Sequence, residues 1–203
     1  MTANGQEIES KYYVRSLKTI EQKLVGLGAV CKLPRDFEYN LRFDDANGRL
    51  HGEHQVLRLR KSDDVRLTFK GPGEQREGAV VRTELELVVD DFEMGRRFLE
   101  ALGFKAIVSY EKYRSMYEID GALVTLDELP YGHFVEIEVQ AIATIASLAP
   151  KLGLNPAAAI PTSYLGLFER VRAAKKLAAR NLTFEEFNGV KITVADLDVQ
   201  FAD

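Results

Sequence analysis

Glu7-Ile8-Glu9-Ser10-Lys11 is the stretch on which the fold turns. In an extended strand successive side chains alternate, so Glu7, Glu9 and Lys11 share one face while Ile8 takes the other. Two carboxylates and an ammonium therefore point the same way. The acid-x-acid pattern returns at Glu84-Leu85-Glu86 and Glu136-Ile137-Glu138, with apolar Leu85 and Ile137 in the intervening positions. Basic strands of the same period stand between them: Arg58-Leu59-Arg60, Lys70 after Leu67-Thr68-Phe69, and Lys112-Tyr113-Arg114. A water-facing polar face accounts for one such strand, and less well for a whole series of them. The expectation is that these faces look inward, onto a shared anionic ligand held through metal ions.

The chain of 203 residues has room for one large domain or two small ones, and 46% hydrophobic residues suffice for a packed core. A formal charge of −4 argues against a sequence-independent nucleic-acid binder, whose affinity needs a basic surface. The single Cys31 excludes an intramolecular disulfide, and His51, His54 and His133 lack the spacing of structural zinc ligands. Any metal here is expected to be held by oxygen. Residues 1–6 lack the cationic and apolar regions of a signal peptide, and no apolar run reaches membrane-spanning length. A cytoplasmic protein is expected, with no membrane and no nucleic-acid partner.

Around the charged strands, Leu17, Ile20, Leu24 and Leu27 recur at helical spacing before Gly28. Alternation predicts strands over 37–43, 55–61 and 64–70, with a turn at 44–48 and a stop at Gly71-Pro72-Gly73. Residues 73–78 are charged and glycine-flanked, which predicts an exposed, mobile loop. A strand over 80–88 is followed by a helix capped by Asp90 or Asp91 and ending at Gly103. Strands over 106–119, 122–127 and 133–140 come next, then a short helix over 143–152. The longest helix is expected over 162–180, with Arg170, Arg172, Lys175 and Lys176 on a solvated face. Val190-Lys191-Ile192-Thr193-Val194 alternates as an added strand or a dimer contact would.

Each acid-x-acid strand is followed by a helix closing on Leu-Gly, at Leu27-Gly28, Leu102-Gly103 and Leu152-Gly153, so the chain reads as internally repetitive. Tight turns between most strands favour antiparallel pairing, hence an α+β class with helices outside the sheet. If helices cover the apolar face, the charged face meets water on an open sheet or lines a closed barrel. A barrel of about eight strands is just wide enough for a small ligand.

The inward set would contain seven acids (Glu7, Glu9, Glu84, Glu86, Asp127, Glu136, Glu138) and seven bases (Lys11, Arg58, Arg60, Lys70, Arg82, Lys112, Arg114). Burying so many charges for structure alone gains little over apolar packing. A ligand that uses both signs makes better sense: carboxylates suit magnesium or manganese, and Arg and Lys clamp phosphate oxygens. A metal–polyphosphate complex matches both halves. Tyr39, Tyr110, Tyr113, Tyr117 and Phe134 read as sheet packing before nucleobase platforms. His133 and Cys31 carry no role, and no Ser/His/Asp order, P-loop or zinc signature appears.

These residues resemble the CYTH family, the triphosphate tunnel metalloenzymes. The likeness runs from Glu7-Ile8-Glu9-Ser10-Lys11 through Phe69-Lys70-Gly71-Pro72-Gly73 and Glu111-Lys112-Tyr113-Arg114 to Asp127-Glu128, Gly132-His133-Phe134-Val135-Glu136-Ile137-Glu138 and Ser163-Tyr164-Leu165. The Glu-Lys-x-Arg strand and the hairpin from Asp127 to Glu138 are most similar to the class IV adenylate cyclase and thiamine triphosphatase type. The resemblance implies an eight-stranded antiparallel tunnel over 1–180, a homodimer in many members, and a 181–203 extension of unknown role. It implies Glu7, Glu9, Glu136 and Glu138 as ligands of magnesium or manganese, with Asp127, Glu84 and Glu86 assisting. Lys11, Arg58, Arg60, Lys70, Arg82, Lys112 and Arg114 would hold the phosphate chain, Lys11, Lys70 and Arg114 among them acting in the reaction. Three functions follow from the resemblance: cyclisation of ATP to cyclic AMP and pyrophosphate, hydrolysis of inorganic, nucleoside or thiamine triphosphate, and a non-catalytic polyphosphate-binding module.

Overall fold

The computed structural model describes residues 5–203. The first strand is β1 (Gln6–Val14), and helix α1 (Leu17–Gly26) follows it, capped by the Ser16 side chain accepting from the Thr19 N–H at 3.2 Å. Strand β2 (Val30–Asp44) leads to a single turn of helix, α2 (Arg49–Gly52), where the Asp44 carboxylate accepts from the N–H groups of Leu50 and His51, each at 2.9 Å. Then come β3 (Val56–Lys61), β4 (Val65–Lys70), β5 (Glu74–Arg76), β6 (Ala79–Val88) and α3 (Phe92–Ala101), which Asp91 caps at 2.6 Å from the Met94 N–H. Strands β7 (Lys105–Ile119), β8 (Ala122–Leu129) and β9 (Gly132–Val139) precede α4 (Ile142–Lys151), α5 (Tyr164–Lys175) and the short α6 (Val194–Leu197). No helix among the described residues is long and apolar enough to cross a membrane.

All the ladders are antiparallel, and the order β1-β9-β8-β7-β2-β3-β4-β6 closes on itself because β6 pairs back to β1. Eight strands therefore form a ring, and the α+β tunnel expected from the sequence is the fold. Ring closure sets Glu7 opposite Arg82 and Glu9 opposite Val80, while the other edge of β1 sets Lys11 opposite Glu136 and Glu9 opposite Glu138. The outward positions of β1, β8 and β9 (Ile8, Val124, Leu126, Val135, Ile137) form a core with Ile20 and Leu24 of α1 and Leu148 and Leu152 of α4. Helix α3 covers another side through Leu99 against Leu41, Leu57 and Leu59. Apolar residues go out to the helices, so the alternate charged ones must face in. The three Leu-Gly endings hold: Leu27, Leu102 and Leu152 are C-caps, and Gly28, Gly103 and Gly153 follow with φ of +84°, +92° and +71°, which only glycine adopts without penalty.

Several expectations are corrected. β2 begins at Val30, seven residues before the alternation starts, because register shifts between Cys31 and Asp36 take Pro34 into the strand without a regular ladder. Residues 74–76 are strand β5, not a loop, although their side chains are exposed. β5 continues along the β6 edge that β4 occupies, one residue out of register after Gly71-Pro72-Gly73. The last long helix spans only Tyr164–Lys175, ending where Lys176 turns left-handed at φ +52°. Residues 190–193 form no strand: Val190 and Ile192 pack against a cluster holding Tyr164, Phe168 and Leu182. The tail thus lies on the protein, with Leu182 bridging to Tyr110 and Phe201 to Tyr13.

Candidate functional site

The interior of the ring is a cavity of about 360 Å³. Seven acids line it (Glu7, Glu9, Asp63, Glu84, Glu86, Glu136, Glu138), and so do nine bases (Lys11, Arg42, Arg58, Arg60, Arg66, Lys70, Arg82, Lys112, Arg114). Of the fourteen charged residues that the motifs single out, thirteen meet here; Asp127 stands behind them. The two ends differ because strand direction sorts the side chains. At one end lie Met116 and Leu123 with Glu9, Glu138 and Glu86; at the other lie Arg42, Val56 and Tyr110 beneath the first turn of α5.

In the acid-rich half, Glu7 accepts from Lys70 Nζ at 2.6 Å and from Arg82 Nε at 2.7 Å. Lys70 also reaches Glu84 at 3.3 Å and Arg82 reaches Glu9 at 3.2 Å. Burial would raise the Glu7 carboxyl, but Lys70 and Arg82 overcome it and bring the group down to about 2. Its neighbours go the other way. Burial pushes Glu84 up to about 7, with Lys70 offsetting part and the Glu7 charge adding to it. Burial also raises Glu9, helped by Glu7 and Glu136, and raises Glu138, helped by Glu7 and Glu9. Several carboxylates thus cluster around Lys70 and Arg82, an all-oxygen donor set of the kind that suits an added cation.

A second network sits in the wall. Asp127, on β8, is fully buried and accepts from Arg114 at 2.6 and 2.5 Å, from Lys112 at 3.0 Å and from Tyr164 Oη at 2.8 Å. With its oxygens so occupied, Asp127 orients Lys112 and Arg114 instead of facing the cavity. Glu136 accepts from Arg114 at 2.6 Å and pairs with Lys11 at 3.2 Å, and these cations hold it well below the usual carboxylate range against burial. Lys11 and Lys112 lie 4.4 and 5.3 Å from the centre of the Tyr164 ring, so α5 is attached to the site through charge at its first residue.

The remaining bases are held by shorter-range partners. Arg66 pairs with Glu86 at 2.5 Å and with Asp64 at 2.6 Å, and Arg60 pairs with Asp64 at 3.2 Å. Arg58 donates to neutral oxygens, Tyr110 Oη at 3.3 Å and Thr68 Oγ1 at 3.2 Å. Among the described residues no three carboxylates are yet gathered round one point, so a cation would have to draw Glu7 and Glu9 away from Lys70 and Arg82.

The motifs missed part of the wall. Glu38, Asn40 and Arg42 occupy alternate inward positions on β2, opposite Lys112, Tyr110 and Val108. Glu38 is buried beside Lys112 and Arg60, at 3.4 and 3.6 Å, and takes an amide hydrogen bond from Asn40 at 3.0 Å. Period-two alternation over 37–43 already carried that signal, since the polar set of any of these strands faces in. Most of the aromatic candidates pack elsewhere: Tyr39 on Phe92, Tyr113 on Phe37 and Phe184, Phe134 on Tyr13 and Tyr131, while Tyr117 bonds Glu21. Tyr110 alone among them lines the cavity.

Known proteins share this fold. A solved structure from Vibrio parahaemolyticus described as a "putative adenylate cyclase" superposes with a TM-score of 0.72 at 21% identity, over 81% of this chain and 99% of its own. A Hippeastrum protein described as a "putative adenylyl cyclase" with a dominant triphosphatase activity gives a TM-score of 0.61 at 20% identity, over 80% and 95%. These likenesses are of fold. In sequence, a Methanocaldococcus jannaschii protein named "putative adenylate cyclase" is 25% identical over 134 residues, 65% of this chain and 75% of that one. The CYTH domain pattern matches residues 5–155, which contain all fourteen motif charges and all eight strands of the ring, and the chain belongs to the CYTH domain family.

Proposed function

We propose that this chain is a divalent-cation-dependent enzyme acting on a triphosphate, and that its reaction is hydrolysis. What carries the proposal is the convergence of seven acids and nine bases on a single cavity of about 360 Å³. That volume is at the small end of ligand pockets, and its charged residues of both signs suit a polyphosphate chain. Guanidinium and ammonium groups from Arg58, Arg82, Lys70, Lys11, Lys112 and Arg114 can each take phosphoryl oxygens. Glu7, Glu9, Glu84, Glu136 and Glu138 supply the all-oxygen donor set that magnesium or manganese prefers. A bound divalent cation supplies Lewis-acid polarisation of a phosphoryl oxygen. Lys11, Lys70 and Arg114 line the same space and would neutralise charge on the departing oxygen. Asp127 and Glu38 keep Lys112 and Arg114 pointed, which is preorganisation.

Cyclisation of ATP is the second reading, supported by the names of the Methanocaldococcus and Vibrio relatives. It requires a seat for adenine. Of the two aromatic residues in the described lining, Tyr164 carries Lys11 and Lys112 over its ring and the Tyr110 hydroxyl accepts from Arg58, so both are already engaged by cations of the cavity. The Hippeastrum protein, cyclase-named with a dominant triphosphatase activity, favours hydrolysis in the same way. The test is product identification after incubation with tripolyphosphate and, separately, ATP, each with magnesium or manganese. Orthophosphate release bears the proposal out, cyclic AMP with pyrophosphate selects the second reading, and tight binding without turnover leaves a polyphosphate-binding module.

A further inference from the structure

Arg42 and Arg58 stand directly opposite one another on β2 and β3 and both line the cavity. Like charges facing across a ladder oppose folding unless something anionic sits between them. Every other lysine or arginine of the cavity has a carboxylate within ion-pairing distance. The Arg42 side chain has no hydrogen bond or ion pair among the described residues, and its Nε is buried without a partner. Arg58 has only neutral oxygens, and its Nε too is buried and unpartnered. The Tyr110 hydroxyl accepts from Arg58 and keeps its own proton to donate. Burial and the facing Arg58 weaken the hold of Arg42 on its proton, and Arg58 and Lys112 bring Tyr110 below its usual range against burial.

Resting on the proposed triphosphate reading, we infer that Arg42, with Arg58 and the Tyr110 hydroxyl, is the seat of the phosphoryl group farthest from the acidic end of the tunnel. Arg60, one strand period before this pair and roughly 7 Å nearer the acids, is already neutralised by Asp64 and Glu38. Arg42 and Arg58 are the cavity's cations with no carboxylate within ion-pairing distance among the described residues. A half-buried guanidinium whose Nε is buried without a partner is costly to the empty protein, and an arriving phosphoryl oxygen reduces that cost. A chain anchored at the carboxylates reaches this seat with its third group, while a two-group chain anchored there stops short. Arg42 is thus a length-reading residue: it rewards a triphosphate over a diphosphate.

Calorimetric titration of Arg42→Gln and wild type with tripolyphosphate and with pyrophosphate, in magnesium, tests this. Loss of one charge-assisted contact predicts tripolyphosphate binding about 10- to 100-fold weaker, with pyrophosphate binding changed less than about threefold. Arg42→Lys, which keeps the charge, should recover most of the tripolyphosphate affinity. Without ligand, Arg42→Gln should melt no lower than wild type, since it removes an unpaired charge. Unchanged tripolyphosphate binding in Arg42→Gln overturns the inference, and so does an equal loss for both ligands. If wild type binds neither, the triphosphate proposal itself fails; if wild type binds both and only the Arg42 result is negative, that proposal stands without this seat.

Discussion

Changing Asp127 to asparagine removes one negative charge from a place water does not reach. The residue is 0% exposed and faces three donors, Lys112 at 3.0 Å, Arg114 at 2.5 Å and Tyr164 at 2.8 Å. Asparagine keeps the volume but turns one acceptor into a donor, aimed at groups that are themselves donors. Lys112 keeps only Glu38 at 3.4 Å, and Arg114 keeps only Glu136 at 2.6 Å. Removing one partner of a buried ion pair costs about 3–5 kcal/mol, a large share of the roughly 5–15 kcal/mol by which a domain is stable. Tyr164→Phe deletes one hydrogen bond to the same carboxylate, and about 1.5–3 kcal/mol is expected. Urea unfolding followed by circular dichroism reads both; at a slope of about 2 kcal/mol per molar, the Asp127→Asn midpoint falls by roughly 2 M. The two changes should be less than additive, because the Tyr164 hydroxyl loses its acceptor in the first variant. An Asp127→Asn protein within about 1 kcal/mol of wild type would refute the argument that this carboxylate organises the wall.

Further outcomes follow from the same geometry. Glu84 is raised to about 7 from 4.5, so the folded protein binds its proton more tightly than the unfolded chain, and stability is lost as pH rises across that window. Glu84→Gln should therefore raise the melting midpoint of metal-free protein at about pH 8 by an amount that vanishes below about pH 4.5; a gain independent of pH would contradict it. Glu7, lowered to about 2, acts oppositely, adding stability as pH rises from about 2 to 4.5. Glu9→Gln should raise the magnesium or manganese concentration needed for half-maximal turnover, and Arg58→Ala should raise KM about 10- to 100-fold. Steady-state kinetics that are unchanged in both variants would remove these residues from the site. Truncation after Arg180 strips Leu182, Phe187 and Leu197, all buried, from the cluster around Phe168. A thermal melt should show a loss of more than about 3 kcal/mol, judged against the cost of emptying buried leucine and phenylalanine sites; an unaltered melt would mean the tail does not support α5.

Much of the tunnel is legible because alternation is local. Glu7-Ile8-Glu9-Ser10-Lys11 needs no partner to put its charges on one side, and the apolar residues between the acids mark which side the helices must cover. The same rule covers Glu38 and Arg42, which the motifs omit because β2 interleaves its polar positions with aromatics. β5 escapes a sequence reading for a different reason. Gly71, Gly73 and Gly78 bracket the run and signal turns, and only pairing with β6 holds the three exposed residues Glu74, Gln75 and Arg76 extended.

What the sequence by itself determined is the face each charge occupies, the antiparallel class, the three Leu-Gly helix endings and the family likeness, all of which depend on residues near one another in the chain. Tertiary structure decided the rest. Opposing Glu7 to Arg82 joins residues 75 positions apart, and that ring closure turns a charged face into a cavity. It also set Asp127 behind the wall, left Arg42 without an acid, and laid the tail over α5. The physical reason is that a side chain's direction is fixed by its own strand, whereas its partner, and so its charge state and its role, is fixed only by what long-range pairing brings opposite.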